Sequence, residues 1–198
     1  MTINLLAEGH LEEFVAVRLL SYCNHNLGTV YGRRGCRYIK ENAVKFRHLA
    51  TSQTGLLILT DFRDAKTKCA ANAVHEYLLN KCPNPPKTFF YRFAVNELES
   101  WLLADREGIA KFLCISVSRV PLNPEGELYP KATLVNLARI SRKKGIREGI
   151  APRPGHRADV GMEYIDRLCE FIMEYWDIDT AEQFSPSLRR CIRRLREI

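Results

Sequence analysis

Residues 54–60 read Thr-Gly-Leu-Leu-Ile-Leu-Thr and run directly into Asp61-Phe62-Arg63-Asp64. A nearly unbroken apolar run of this length, stopped by an acid, is the pattern of a central parallel strand covered on both faces. Working outward, residues 2–7 (TINLLA) form a second β-branched and aliphatic run. It closes on Glu8-Gly9, and a helical stripe of Leu11, Phe14, Val15, Arg18 and Leu19 follows. A weak strand near Gly28 to Tyr31 precedes an amphipathic stretch from Tyr38 to Leu49, with Ile39, Ala43, Phe46 and Leu49 at helical spacing. Beyond Asp61, a helix over 65–79 is ended by Cys-Pro-Asn-Pro-Pro at 82–86, and residues 87–95 (KTFFYRFAV) have the aromatic, alternating character of another strand. Strands alternating with helices predict an α/β fold: a mostly parallel sheet of about four strands flanked by helices. Ligands of such sheets bind outside the carboxyl ends of the strands.

After residue 96 the pattern changes to helices joined by Pro- and Gly-containing loops. Helices are expected over 97–104, 106–113, 130–141, 158–175 and 186–196. The last is well signalled, with Ser185 to cap it, Pro186 at its first position, and Leu188, Cys191, Ile192 and Leu195 on one face. The expected organisation is an α/β core over 1–115 and a helical C-terminal extension over 116–198, packed on the core as one domain. Lys144 to Arg157, with Gly145, Gly149, Pro152, Pro154 and Gly155, reads as a basic loop that a ligand orders.

The chain has 198 residues, 46% hydrophobic and 27% charged, which excludes disordered, collagen-like and coiled-coil classes. Its apolar runs fall far short of the ~18 residues of a membrane span. Its first residues carry acid where a signal peptide carries base, so a cytoplasmic protein is expected. Seven scattered cysteines without a C-x-x-C pair indicate neither a disulfide framework nor a zinc ribbon. Thirty Lys plus Arg against 23 Asp plus Glu leave a net charge of +7, which favours a polyanionic partner. The excess is local. It gathers between Arg139 and Arg157 and over the last ten residues, although the arginines of the final helix also read as a solvated face opposite its apolar stripe.

In a parallel sheet the acids Glu8, Asp61 and Asp64 converge on one edge. Such crowding is costly without a cation, and hard oxygen ligands suit Mg²⁺ or Mn²⁺ with a phosphate-bearing substrate. Asp61 equally well caps the next helix. Gly9 is expected to allow a turn that a side chain would hinder, and Glu12 stands as a second-rank ligand. Glu99, in Asn96-Glu97-Leu98-Glu99-Ser100-Trp101, also follows a strand, but Asn96 with Glu99 matches a capping box. The five histidines show no metal-ligand spacing, and no phosphate-loop, dinucleotide or nucleophile-elbow motif is present.

Through AEGHLEE and LLILTDFRDA the chain resembles a Toprim domain, the topoisomerase and primase type of Rossmann-like α/β fold. It is more closely similar to the small Toprim-like proteins of domain of unknown function family 4276, through NELESWLLADREGIAKFL, PLNPEGELYPKATL and SPSLRRCIRRLREI. The resemblance implies a relation to the Toprim nuclease half of OLD-type antiphage proteins and to partners of an AAA-type ATPase in bacterial defence or mobile-element loci. It places Glu8 at the first-strand glutamate, Asp61 and Asp64 at the aspartate pair, and Glu99 at the acid of the ESW segment. The usual pair is D-x-D, whereas Arg63 here displaces the second acid to 64.

These readings lead to an expected metal-dependent phosphodiesterase, a nuclease acting on DNA or RNA, using Mg²⁺ or Mn²⁺. Asp61 and Asp64 would be ligands, Glu8 a ligand or proton-transfer group, and Glu99 a further catalytic acid. Arg63, Lys143, Lys144, Arg147 and Arg153 would meet the nucleic-acid backbone. The alternatives are a non-catalytic Toprim-like module binding nucleic acid or an ATPase partner, and a hydrolase of a small phosphorylated metabolite. No membrane partner is expected.

Overall fold

The protein, a computed structural model, is described over residues 1–62 and 70–198. Four strands form one all-parallel sheet: β1 (Thr2–Ala7), β2 (Asn26–Gly32), β3 (Thr54–Asp61) and β4 (Phe89–Ala94), in the order β2-β1-β3-β4. The mostly parallel α/β architecture with a helical C-terminal part is therefore the fold the chain adopts. The chain first lays β2 on one side of β1 and then β3 on the other. The strand order thus reverses between β1 and β3, and at such a point the crossovers diverge and leave a crevice at the carboxyl edge.

The contacts divide the chain into two compact units, residues 1–95 with 190–198, and residues 96–189. The division falls earlier than the expected 115/116, because the segment after β4 spends its polar groups on residues later in the chain, as described below. In the first unit the crossovers are α1 (His10–Tyr22), α2 (Gly35–Asn42) and α3 (Ala70–Val74). A 3-10 turn over Ala43–Leu49 extends α2, so the stretch expected to begin at Tyr38 starts at Gly35 and tightens in its second half. A π-helical turn over His75–Leu79 extends α3, and the expected start of that helix at 65 lies outside the described residues.

Side chains alternate across the strands. Leu6, Leu56, Ile58, Phe89, Tyr91 and Phe93 pack on one face with Ile39, Ala43, Ala73 and Leu78. Leu5, Leu57, Leu59 and Phe90 occupy the other and are fully buried, each such side chain stabilising the fold by ~1.5–3 kcal/mol. Residues 190–198 belong to this unit. Arg194 lies 5.2 Å over the Phe90 ring and donates to the Lys87 carbonyl at 2.7 Å, and His25 Nε2 is 2.8 Å from the Leu195 carbonyl.

The second unit is helical: α4 (Glu99–Ala104), α5 (Arg106–Leu113), α6 (Pro130–Arg139), α7 (Lys144–Ile150), α8 (Tyr164–Glu174), α9 (Ile178–Phe184) and the first residues of α10 (Pro186–Arg196). Every residue of α4 is buried, against α6 and α9. Three expectations change here. The basic segment from Lys144 is a helix, not a loop, as far as Ile150. Its two glycines hide it from a propensity reading, but Gly161 donates to the Ile150 carbonyl at 2.7 Å and Glu163 to the Gly149 carbonyl at 3.0 Å. A Cβ on Gly161 would sit 2.2 Å from the Gly149 oxygen, so this close approach of two backbones requires glycine. The same approach holds residues 158–163 out of the helix expected from 158, and α8 begins at Tyr164. Finally, α9 escaped the pattern reading, although Asp177 caps it by accepting from the Thr180 N–H at 3.1 Å.

Candidate functional site

At the carboxyl edge of the sheet, β1 and β3 pair in register as far as Ala7 opposite Leu59. Glu8, the first residue past β1, therefore lies beside Thr60 and Asp61, the last residues of β3, at the switch point. Glu8 Oε1 accepts hydrogen bonds from the Thr60 hydroxyl and from the Asp61 N–H, the latter at 3.0 Å. Both acids are half-buried, and Thr60 is fully buried beneath them. Glu8 and Asp61, 53 residues apart in the chain, thus meet at the carboxyl edge of the sheet.

Gly9, expected to ease a turn, has an extended backbone at φ −155°, which any residue adopts. A Cβ there would meet Glu12 Oε2 at 3.4 Å, an ordinary contact. Its N–H is donated to that same Glu12 oxygen at 2.9 Å, so Glu12 acts in a cap of α1. The glycine that does matter at this edge is Gly32. It has φ +92°, and a Cβ on it would lie 2.4 Å from the Ala7 carbonyl. It opens a Gly32-Arg33-Arg34-Gly35 turn that wraps the backbone of Ala7 and Glu8: the Arg33 N–H is donated to the Ala7 carbonyl at 2.8 Å and the Gly35 N–H to the Glu8 carbonyl at 3.1 Å. Arg33 grips Glu13 at 2.7 Å, and Arg34 stacks on Tyr38 at 5.2 Å. Two guanidinium groups on the loop beside Glu8 went unremarked in the sequence. The G-R-R-G string between a strand and a helix is the signal that marks them.

Tyr91, on β4, has a buried hydroxyl with no hydrogen-bond partner among the described residues. Burial, reinforced by the negative charge of Glu8, raises it above the ordinary tyrosine range, which puts this hydroxyl within electrostatic reach of the acidic edge. Arg63 and Asp64 lie outside the described residues. Glu8 and Asp61 suit Mg²⁺ or Mn²⁺, hard cations that take one or two carboxylates and retain several waters. Among the described residues no group of three or more His, Cys, Asp or Glu is assembled as a metal cluster.

Within the second unit, Glu99 is 2% exposed, accepts from the Tyr164 hydroxyl at 2.6 Å and pairs with Lys131 Nζ at 3.6 Å. Its neighbours are held in the same way. The Asn96 side chain donates to the Glu125 and Glu127 carbonyls, and Glu97 accepts the Lys131 N–H at 2.9 Å. Glu125 Oε1 accepts the Ser185 hydroxyl at 2.5 Å and the Ser187 N–H at 2.7 Å, and Trp101 Nε1 donates to the Ser187 hydroxyl at 2.7 Å. The three segments NELESW, PEGELYPK and SPS, far apart in the chain, therefore interlock through buried polar groups. Glu99 has a complete local account as a satisfied buried acid.

The four expected basic residues of this unit separate. Lys143 precedes α7 and Lys144 begins it, both exposed, and Lys144 lies 3.9 Å from Glu148. Arg147 and Arg153 instead line one cavity together with Arg139 and His156. Among the described residues no helix is long and apolar enough to cross a membrane. Comparison with models of known families, with curated proteins and with solved structures finds no match.

Proposed function

We propose that the protein is a Mg²⁺- or Mn²⁺-dependent phosphodiesterase of Toprim-like type acting on DNA or RNA, with its centre at the carboxyl edge of β1 and β3. The observation that carries this reading is the meeting of Glu8 and Asp61 at the strand-order switch point. The positively charged turn at Arg33 and Arg34 supports it, as does the overall charge of +7. When bound, the cation supplies charge neutralisation at phosphate oxygens and acidifies water. Asp61, with Asp64 from the following segment, provides the hard oxygen donors. Glu8 is oriented by the Thr60 hydroxyl and the Asp61 N–H, either as a third donor or as the group that takes a proton from the attacking water. Arg33 and Arg34 attract the phosphate backbone to this edge.

A specific observation favours a second reading. Glu8 spends one carboxylate oxygen on two donors of its own fold, which is what a purely structural strand-end acid does. A non-catalytic module binding nucleic acid or an AAA-type ATPase partner uses the same edge without metal. Calorimetric titration with Mn²⁺ separates the two readings. Binding to the native chain that is lost in Asp61→Asn supports the phosphodiesterase and leads to a nuclease screen. Absence of binding to either protein at millimolar metal leaves the non-catalytic module.

A further inference from the structure

We infer that the second unit contains a separate binding site for a compact phosphorylated ligand of nucleotide size. The cavity between the end of α6, α7 and the loop after it measures about 710 Å³, within the range of small-molecule sites, and is walled by Arg139, Arg147, Arg153 and His156 on its polar side and by Ala151, Pro152, Pro154 and Ala158 on its apolar side.

What marks this cavity is that three arginines line one concavity with a single acid among the lining residues. Elsewhere in the protein Arg33, Arg37, Arg167 and Arg194 each lie against a glutamate at 2.7–3.0 Å. Among the described residues Arg139, Arg147 and Arg153 form no ion pair. The one acid on the wall, Glu148, has Lys144 as its ion-pair partner. Two of the guanidinium groups are nevertheless positioned by neutral acceptors. Arg147 Nη1 donates to the Ser141 carbonyl at 2.7 Å, and Arg139 Nη1 donates to Asn136 Oδ1 at 3.0 Å. Each retains further donors for a ligand, because a guanidinium carries five.

Three guanidinium groups gathered around one concavity repel each other, and an anion between them removes that cost. Their planar forks match phosphate oxygens bidentately. The proline and alanine wall gives a flat apolar surface for the rest of the ligand. Lys143 and Lys144, the exposed bases that would serve a track along a polynucleotide, do not line it.

The test is a calorimetric titration of the full chain, free of divalent metal, with pyrophosphate, with ADP and with single-stranded oligonucleotides of increasing length. One pyrophosphate or ADP should bind per chain. Affinity should fall about tenfold in Arg147→Met and in Arg153→Ala, the loss of one charge-assisted hydrogen-bonding group, and stay unchanged in Lys143→Ala and Asp61→Asn. Arg153 is exposed and has no side-chain hydrogen bond among the described residues, so its removal leaves the fold intact even where Arg147→Met does not. The inference is overturned if neither pyrophosphate nor ADP binds at millimolar concentration, or if Arg153→Ala binds them as well as the native chain. It is equally overturned if oligonucleotides alone bind, more tightly with length and with equal sensitivity to Lys143 and Arg153. Because metal is excluded and Asp61→Asn is included, failure here leaves the acidic edge untouched.

Discussion

Two groups of acids in this protein look alike in sequence and differ in what surrounds them. Glu8 and Asp61 stand half-buried at the ends of two parallel strands, where the sheet presents them at its carboxyl edge. Glu97, Glu99 and Asp105 are 1–2% exposed inside the helical unit, on donors from Lys131, Tyr164, Gly108 and Asp177. An acid enclosed by donors holds a fold together, whereas an acid at the carboxyl edge of a parallel sheet lies where sheets of this kind bind ligands. Burial and partners, which a motif cannot report, decide between the two.

The sharpest way to break this comparison is to neutralise one acid of each kind. Glu8→Gln is expected to lower Mn²⁺ affinity and any phosphodiesterase rate by about 100-fold, the scale of losing one preorganised group at a reacting centre, with little change in the urea midpoint. Glu99→Ala should do the reverse. Removing it takes a buried acceptor from the Tyr164 hydroxyl and an ion-pair partner from Lys131 and should cost about 2–3 kcal/mol in urea unfolding, with Mn²⁺ affinity retained. A parallel loss of metal affinity in that variant would erase the distinction.

Backbone positions at the acidic edge sharpen the picture further. Gly32→Ala should cost about 2 kcal/mol in thermal unfolding, because φ +92° is strained for alanine and the new Cβ has the Ala7 carbonyl in its path. The pH dependence of Asp105 tests the enclosed acids. Burial raises its carboxyl above the ordinary aspartate range, against the opposing pull of the Asp177 and Gly108 N–H donors. The folded chain therefore holds a proton that the unfolded chain has released, and this contribution to stability is lost as pH rises from the ordinary range through the raised value. The stability difference between the native chain and Asp105→Asn should accordingly move in favour of the variant on going from pH about 4 upward. The smallest effect is expected for Gly9→Ala, below about 1 kcal/mol, since its backbone is extended and its Cβ has room.

Much of the first unit was legible because period-two and period-3.6 patterns survive where both faces are buried. β1, β3 and β4 lie within a residue or two of their expected bounds, as do α1, α5 and α10. β2 read weakly because it is an edge strand with no buried residue, and Asn4 Oδ1 accepts the Thr29 N–H at 2.9 Å where the β1–β2 register shifts. The convergence of Glu8 and Asp61 followed from strand direction alone. Tyr91 did not, since an aromatic in a strand gives no sign of where its hydroxyl ends. In the helical unit, α7 was hidden by glycines whose reason is a contact with Gly161, and the cavity was half legible. Arg139, Arg147 and Arg153 all belong to the obvious basic stretch, while the turn between α6 and α7 that brings Arg139 to the same cavity is one that no local pattern encodes.

The return of residues 190–198 to the first unit bears on the order in which the protein is made. Residues 96–189 form a compact unit from one uninterrupted stretch and can close as soon as that stretch is available. The sheet, made earlier, waits for its last partners: Arg194 for Phe90 and Lys87, and the Leu195 carbonyl for His25, 170 residues upstream. During translation the unit that begins first is therefore completed last. A nascent chain stalled before residue 190 would carry a finished helical unit and a sheet still without the Arg194 and Leu195 contacts.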